Sequence, residues 1–481
     1  MTEEITRNSR QAPLEERADG RNPSTFPLAD GTVYSARKGF RPFATPPLEV
    51  YASLLGSART DRVRRAAEKL QGLKVLELNS SAQGGGVAEM LYSSVPFLNL
   101  LGIESEWKII RGSQAFFEIT KGMHNLLQGK KGAFTAAMKE GYIYNLEDCA
   151  RANLIEDVPD VVLIHDPQPM GLIHYLKDPR SSWLWRCHID VEESTLRANP
   201  DLWEFITDLS EHYDAAIFSA AHYVVSCWPL PKFLIPPFID PLSEKNRDLS
   251  RAEVEQVLEK YGIDAAVPIV AQIGRYDPWK GIDRTIGTFR HVRKEVPCQL
   301  VLAGGLATDD PEGSRVLAEV RERTEGMEDV HVLSLQMSDR LLNWKEVNAL
   351  QRAATVIMQP STKEGFGLVI TEALWKSKPV IGADVGAIPL QIRNEETGFF
   401  FETAARTARK VVQLLKSPAA ARKLGQRGRE FVSDHFLMPD RLADFLQALG
   451  MVRSAGLAAR DTCNECIISF HPWSKMSKRS R

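Results

Sequence analysis

Two hydrophobic rhythms alternate along this chain. Short unbroken apolar runs, such as "LKVLELNSS", "DVVLIHDPQP" and "YDAAIFSA", lie between longer stretches whose apolar residues recur every three or four positions, such as 48–70 and "VAEMLYSSVPFLNLLG". A run that is apolar at consecutive positions suits a strand buried on both faces inside a parallel sheet. The three-to-four spacing is that of a helix with one buried side. Their alternation, with "SEWKII" as a further strand, predicts βαβ units wound into a parallel sheet.

The rhythm breaks at "LIPPFIDPLSEKN", where Pro236, Pro237 and Pro241 exclude a regular helix. It then restarts with "VPIVAQIG", the helical "IDRTIGTFRHVRKEV", "CQLVLAGG", "DVHVLSLQ", "ATVIMQPS", "KPVIGADVG" and "TGFFF". The fold class expected is α/β, with two Rossmann-like doubly wound domains facing a central cleft. Residues 1–47 lack apolar periodicity and are expected to form a mobile arm. Residues 48–245 are expected to be the first domain, 246–435 the second, and 436–481 a C-terminal helix and tail. Ligands of open α/β sheets sit beyond the C-terminal ends of the strands, so the cleft is where chemistry is expected.

The length of 481 residues suits two cores. A formal net charge of −2 gives no overall attraction to nucleic acid or an anionic membrane. No apolar run approaches the roughly 20 residues that span a bilayer. The polar, acid-bearing N-terminus lacks the apolar segment of a signal peptide, and a cytoplasmic location is expected. The six cysteines are scattered, which is no disulfide framework and fits a reducing compartment. The pair in "CNEC", Cys463 and Cys466, has metal or redox spacing but no second pair facing it, and is read as structural or incidental.

Candidate chemistry gathers at predicted strand ends. In "SSAQGGGVAEM", Gly84, Gly85 and Gly86 follow a strand and open a helix, so a ligand can approach the backbone and an anion can meet free N–H groups. Glu89 occupies the third position of a dinucleotide fingerprint, which therefore fails. In "QIGRYDPWKG", Arg275 and Lys280 suit a diphosphate. In "STKEGFGLVITEALWKSKPVIG", Glu364 and Glu372 stand eight positions apart around Gly365, Phe366, Gly367 and the helix start at Leu368. Carboxylates beside a phosphate site make sense if they accept from hydroxyls on either side of it: Glu364 from a transferred sugar, Glu372 from a ribose. His165 and Asp166 end the strand in "VLIHDPQP", and His188 and Asp190 follow in "WRCHIDVEES", where sugar contacts fit better than zinc spacing. Each feature also has a plainer reading: a tight turn, solvated charges, acids complementing a helix dipole, or a structural histidine.

Taken together, these segments resemble a retaining nucleotide-sugar glycosyltransferase of the two-domain GT-B type, in family 4. "EGFGLVITE" is similar to that family's E-x7-E motif, and Arg275 and Lys280 to its diphosphate-binding pair, over about 74–435. "LNSSAQGGGVAEMLYSSVPFL", "EWKIIRG", "VLIHDPQP", "WRCHID", "IPPFIDPLSEKN" and "RYDPWKG" are similar to the subgroup of trehalose glycosyltransferring synthases and trehalose phosphorylases. The resemblance implies reversible transfer of glucose from an NDP-glucose (ADP- or UDP-glucose) to glucose, forming trehalose with retention. It implies catalytic roles for Arg275, Lys280 and Glu364. Donor contacts are implied at Gly84, Gly85, Gly86, His165, Gly365, Phe366, Gly367, Leu368 and Glu372, and acceptor contacts at Asp166, His188 and Asp190. It implies no obligatory metal, with magnesium at most a non-obligatory activator, and no nucleic acid or membrane partner; a homodimer is left open.

Three rivals stand beside this reading. A trehalose phosphorylase would use phosphate and glucose 1-phosphate, although such chains in this subgroup are longer. A nucleotide-sugar epimerase shares the fold but usually lacks the paired glutamates. A binding protein need not keep Arg275, Lys280 and both glutamates together.

Overall fold

The computed structural model describes residues 30–40, 44–83, 85–152, 155–191, 194, 198–225, 228, 230–305, 312–455 and 467–470. Among them the strands, in chain order, are β1 (Thr32–Ser35), β2 (Lys74–Asn79), β3 (Glu104–Ile109), β4 (Val161–His165), β5 (Ser182–Cys187), β6 (Ala215–Phe218) and β7 (Lys232–Leu234). They continue with β8 (Ile269–Ile273), β9 (Gln299–Gly305), β10 (Val330–Leu335), β11 (Val356–Gln359), β12 (Val380–Gly382), β13 (Phe399–Phe400) and β14 (Ile467–Ser469).

The strands divide into two sheets, ordered β1-β3-β2-β4-β5-β6-β7-β14 and β10-β9-β8-β11-β12-β13. Pairing is parallel throughout except where β1 runs antiparallel on β3. Every residue of β4 and of β8 is buried, as the unbroken apolar runs require. The strand order reverses between β2 and β4 in the first sheet and between β8 and β11 in the second. Such switch points leave a crevice at the strand C-termini. Asn79 and His165 end the strands at the first, and the loops to Arg275 and Glu364 leave the second.

The chain crosses between the sheets twice, and the two crossings pair. Ile239, in the proline-rich segment, bridges Leu437; its N–H donates to the Phe436 carbonyl at 3.0 Å, and its carbonyl accepts from Met438 N at 2.9 Å. The helix Met438–Ala455 then packs on the first sheet, burying Leu442, Ala443, Phe445, Leu446 and Leu449 in one core with Val75, Leu163 and Ile217.

Three parts of the structure depart from the sequence expectation. The arm expected up to residue 47 contains a strand: Thr32–Ser35 is a fully buried edge strand. Four residues are too few for a period to register. The tail likewise contributes Ile467–Ser469, parallel to β7, while "CNEC" and residues 1–29 lie outside the described residues. The helical stretch 48–70 is two helices, Leu48–Leu55 and Ser57–Glu68, broken at Gly56, whose φ of 89° favours glycine. Among the described residues, no helix is long and apolar enough to cross a membrane.

Candidate active site

The loop after β8 turns through Asp277, whose carboxylate caps a short 3-10 turn by accepting from Trp279 N at 2.8 Å. Gly281 follows at φ 63°, where a Cβ would lie 2.2 Å from the Pro360 carbonyl. This close approach brings Lys280 against the loop after β11. Its Nζ lies 2.9 Å from Glu364 Oε1 and 2.7 Å from Oε2. Gln359 Nε2 and Ser361 Oγ donate to the same Oε2 at 3.2 and 3.1 Å. Gly367, at φ 85°, then starts the helix Leu368–Trp375 with no side-chain cap, leaving its first N–H groups for a ligand. Arg275 makes no hydrogen bond or ion pair among the described residues, although it lines the same cleft.

Glu372 lies on that helix, 1% exposed. Lys245, in the crossing segment, reaches its Oε1 at 3.0 Å, and Gln351 Nε2 reaches Oε2 at 2.9 Å. The same ammonium meets both oxygens of Glu89 at 2.8 Å, and Glu89 belongs to the helix Gly86–Leu100 of the first domain. One lysine thus joins the two domains through two carboxylates. Burial penalises both acids. For Glu372, Lys245 and Lys376 outweigh it and hold the carboxyl below its ordinary range. For Glu89, burial together with the charge of Glu372 wins, and the carboxyl is raised. Lys245 was not singled out from the sequence, and Glu89 was noted only for spoiling the dinucleotide fingerprint. Nothing local in the sequence signals a contact across 156 positions.

In the first domain His165 lies between Glu77 and His188. Its Nε2 is 2.9 Å from Glu77 Oε2 and its Nδ1 3.0 Å from His188 Nε2, the two rings stacked at 15°. Both ring nitrogens of His165 are therefore taken. His165 nevertheless lines the cleft, with its ring held between Glu77 and His188. Burial lowers the basicity of both rings, helped at His188 by Arg186 and His165. Asp166 adopts φ 63° and accepts from His188 N at 2.7 Å; burial pushes its carboxyl up to about 7. Asp190 accepts from Gln128 and is likewise raised by burial.

The two halves touch around this ring of groups. A Cβ on Gly365 would lie 2.4 Å from the His188 carbonyl, and one on Gly86 3.0 Å from Leu368 Cδ1. Tyr223 Oη donates to the Glu364 and Gly365 carbonyls at 3.1 and 2.8 Å. The cleft, about 390 Å³, is lined by Gly85, Gly86, His165, Asp166, His188, Arg275, Lys280, Glu364, Gly365, Gly367, Leu368 and Glu372. Phe366 also borders it, its ring packing on Phe436 and its carbonyl accepting from Gln391 Nε2. Asp190 flanks the cleft through Gln128. Gly84 lies outside the described residues, as do Glu192 and Glu193. Among the described residues, no group of three or more His, Cys, Asp or Glu is placed to hold a metal ion.

Residues 77–225 match the family model for the N-terminal domain of trehalose synthase, and residues 253–431 that for glycosyl transferases group 1. The trehalose synthase of Pyrococcus horikoshii is 42% identical over 410 residues, covering 84% of this chain and 96% of that protein. The trehalose phosphorylase of Grifola frondosa is 28% identical, covering 86% of this chain and 62% of its own length. Among solved structures, the α,α-trehalose 6-phosphate synthase of Burkholderia multivorans superposes with a TM-score of 0.60 at 13% identity, covering 81% of this chain and all of the other, a likeness of fold.

Proposed function

This chain belongs to the trehalose synthase family of glycosyltransferases, and from that premise we propose that it transfers glucose reversibly from an NDP-glucose, ADP- or UDP-glucose, to free glucose, forming trehalose with retention. Its fold is the two-domain GT-B arrangement, and it is a hexosyltransferase. The observation that carries the finer reading is the Arg275 guanidinium, without a partner among the described residues, in one cleft with Lys280, an uncapped helix start and two buried carboxylates. A nucleoside diphosphate sugar matches that set: anionic in its middle, hydroxylated at both ends.

In this reading Arg275 holds the diphosphate bidentately, and the N–H groups after Gly367 add to it. Lys280, already held beside the cleft by Glu364, supplies the second cation. Glu364 accepts from the transferred glucose and Glu372 from the ribose. The acceptor glucose lies toward Asp166, His188 and Asp190. Charge builds on the leaving diphosphate as the glycosidic bond lengthens, and these fixed donors stabilise it without reorganising. The leaving phosphate takes the proton of the attacking hydroxyl on the same face of the sugar, so positioning supplies much of the rate. Two cations do the work a metal would do at the diphosphate, so no metal is required and magnesium is at most a non-obligatory activator.

The test is a pair of incubations with glucose, one with NDP-glucose and one with glucose 1-phosphate, read by proton NMR. The reading requires α,α-trehalose and NDP in the first and no disaccharide in the second. The reverse outcome makes the protein a phosphorylase. Free glucose as the only sugar product, or an altered NDP-sugar, removes the transferase reading.

A further inference from the structure

Glu77 takes no part in the reaction above, yet it puts a carboxylate, 3% exposed, in the middle of strand β2. A charge so placed is costly unless it is satisfied. Its partner is His165 Nε2 at 2.9 Å, and His165 Nδ1 in turn meets His188 Nε2 at 3.0 Å. The buried Arg186 guanidinium lies near enough to interact electrostatically with Glu77.

A carboxylate only accepts, so His165 must carry its proton on Nε2. A neutral imidazole has one N–H, and burial favours the neutral ring. Nδ1 of His165 is then a lone pair, and His188 must donate to it from Nε2. That leaves the lone pair of His188 on Nδ1, which has no partner among the described residues, on a ring that lines the cleft. A protonated Glu77 would reverse each step and present an N–H instead. We propose that Glu77 is a positioning residue which, through His165, sets the tautomer of His188 and so presents an acceptor, Nδ1, to a hydroxyl in the cleft. Only the identity of that hydroxyl, as one of a sugar, rests on the proposed transferase reading.

The tautomers are read from ring nitrogen-15 correlations of the whole protein with labelled histidine and no substrate, His188→Gln serving to assign the signal. Nε2–H with unprotonated Nδ1 is expected at both His165 and His188. Nδ1–H at His188 overturns the proposal. In Glu77→Gln, whose amide can donate as well as accept, His188 should lose its single tautomer. Its kcat should fall about 10–100-fold, within the range for lost positioning, with the KM for NDP-glucose nearly unchanged. A folded variant that keeps both the tautomer and kcat also overturns it. If Glu77→Gln does not fold, the wild-type spectrum decides. Failure of NDP-glucose as a donor would leave the tautomer result standing, so the two readings fail separately.

Discussion

Lys280 Nζ lies 2.9 and 2.7 Å from the two carboxylate oxygens of Glu364, an ion pair between two loops of the second domain at the edge of the cleft. Arg275, on the same loop as Lys280, has no such partner among the described residues. The two cations should therefore behave differently when removed. Arg275→Ala and Lys280→Ala should each lower kcat by about 10²–10³, the scale of a lost transition-state donor. Only Lys280→Ala should also lower stability, by about 1–3 kcal/mol, because Glu364 is left without its cation. Urea unfolding beside steady-state kinetics checks this; near-normal turnover in both variants would remove the diphosphate assignment.

The two glutamates should divide the donor. Glu372→Gln should weaken binding of NDP alone. Glu364→Gln should leave NDP affinity nearly intact and lower turnover with NDP-glucose. A charge-assisted hydrogen bond is worth roughly 1.5–3 kcal/mol, well within the reach of calorimetry. Equal loss of NDP affinity in both variants would mean that the acids do not share the donor in this way.

Gly365 should be needed for the domains to meet. An added methyl group would stand 2.4 Å from the His188 carbonyl, a backbone atom of the other domain that cannot rotate away. Gly365→Ala should keep its circular dichroism but lose most activity. Small-angle scattering with NDP and trehalose present should show a larger radius of gyration than wild type. Superimposable curves would show that the contact is dispensable for closure.

Asp166 makes stability depend on pH. Burial raises its carboxyl from an ordinary 3.8 to about 7 in the folded protein. The folded state then holds a proton that the unfolded chain has released, so this group favours folding at acid pH. That advantage is lost as pH rises from about 4 through 7. Asp166→Asn keeps an oxygen for His188 N and cannot ionise. It should gain stability relative to wild type as pH rises from 5 to 8 in thermal unfolding. A difference that does not change with pH would contradict the assignment.

Much of the site was legible because its residues follow strand ends. Arg275, Lys280 and Asp166 follow predicted strands and Glu364 and Glu372 flank a predicted helix start, whereas the acceptor role of His188, after a strand the pattern did not reveal, came from the resemblance. What escaped depends on docking rather than on local pattern. Lys245 looks like an unremarkable charge in a proline-rich linker until the helices carrying Glu89 and Glu372 converge on it. His165 ends its strand and lines the cleft as expected, but the Glu77 carboxylate that its Nε2 meets, on the neighbouring strand β2, carries no local signal. The edge strands β1 and β14 are four and three residues long, below what a hydrophobic period can reveal.

The most direct test of the account runs the reaction backwards. Trehalose is incubated separately with ADP, UDP, GDP and inorganic phosphate, and the sugar product is identified by NMR and mass spectrometry. The account predicts an α-configured NDP-glucose together with free glucose from at least one nucleotide, and no glucose 1-phosphate from the phosphate incubation. Glucose 1-phosphate from phosphate, with all three nucleotides inert, would contradict it.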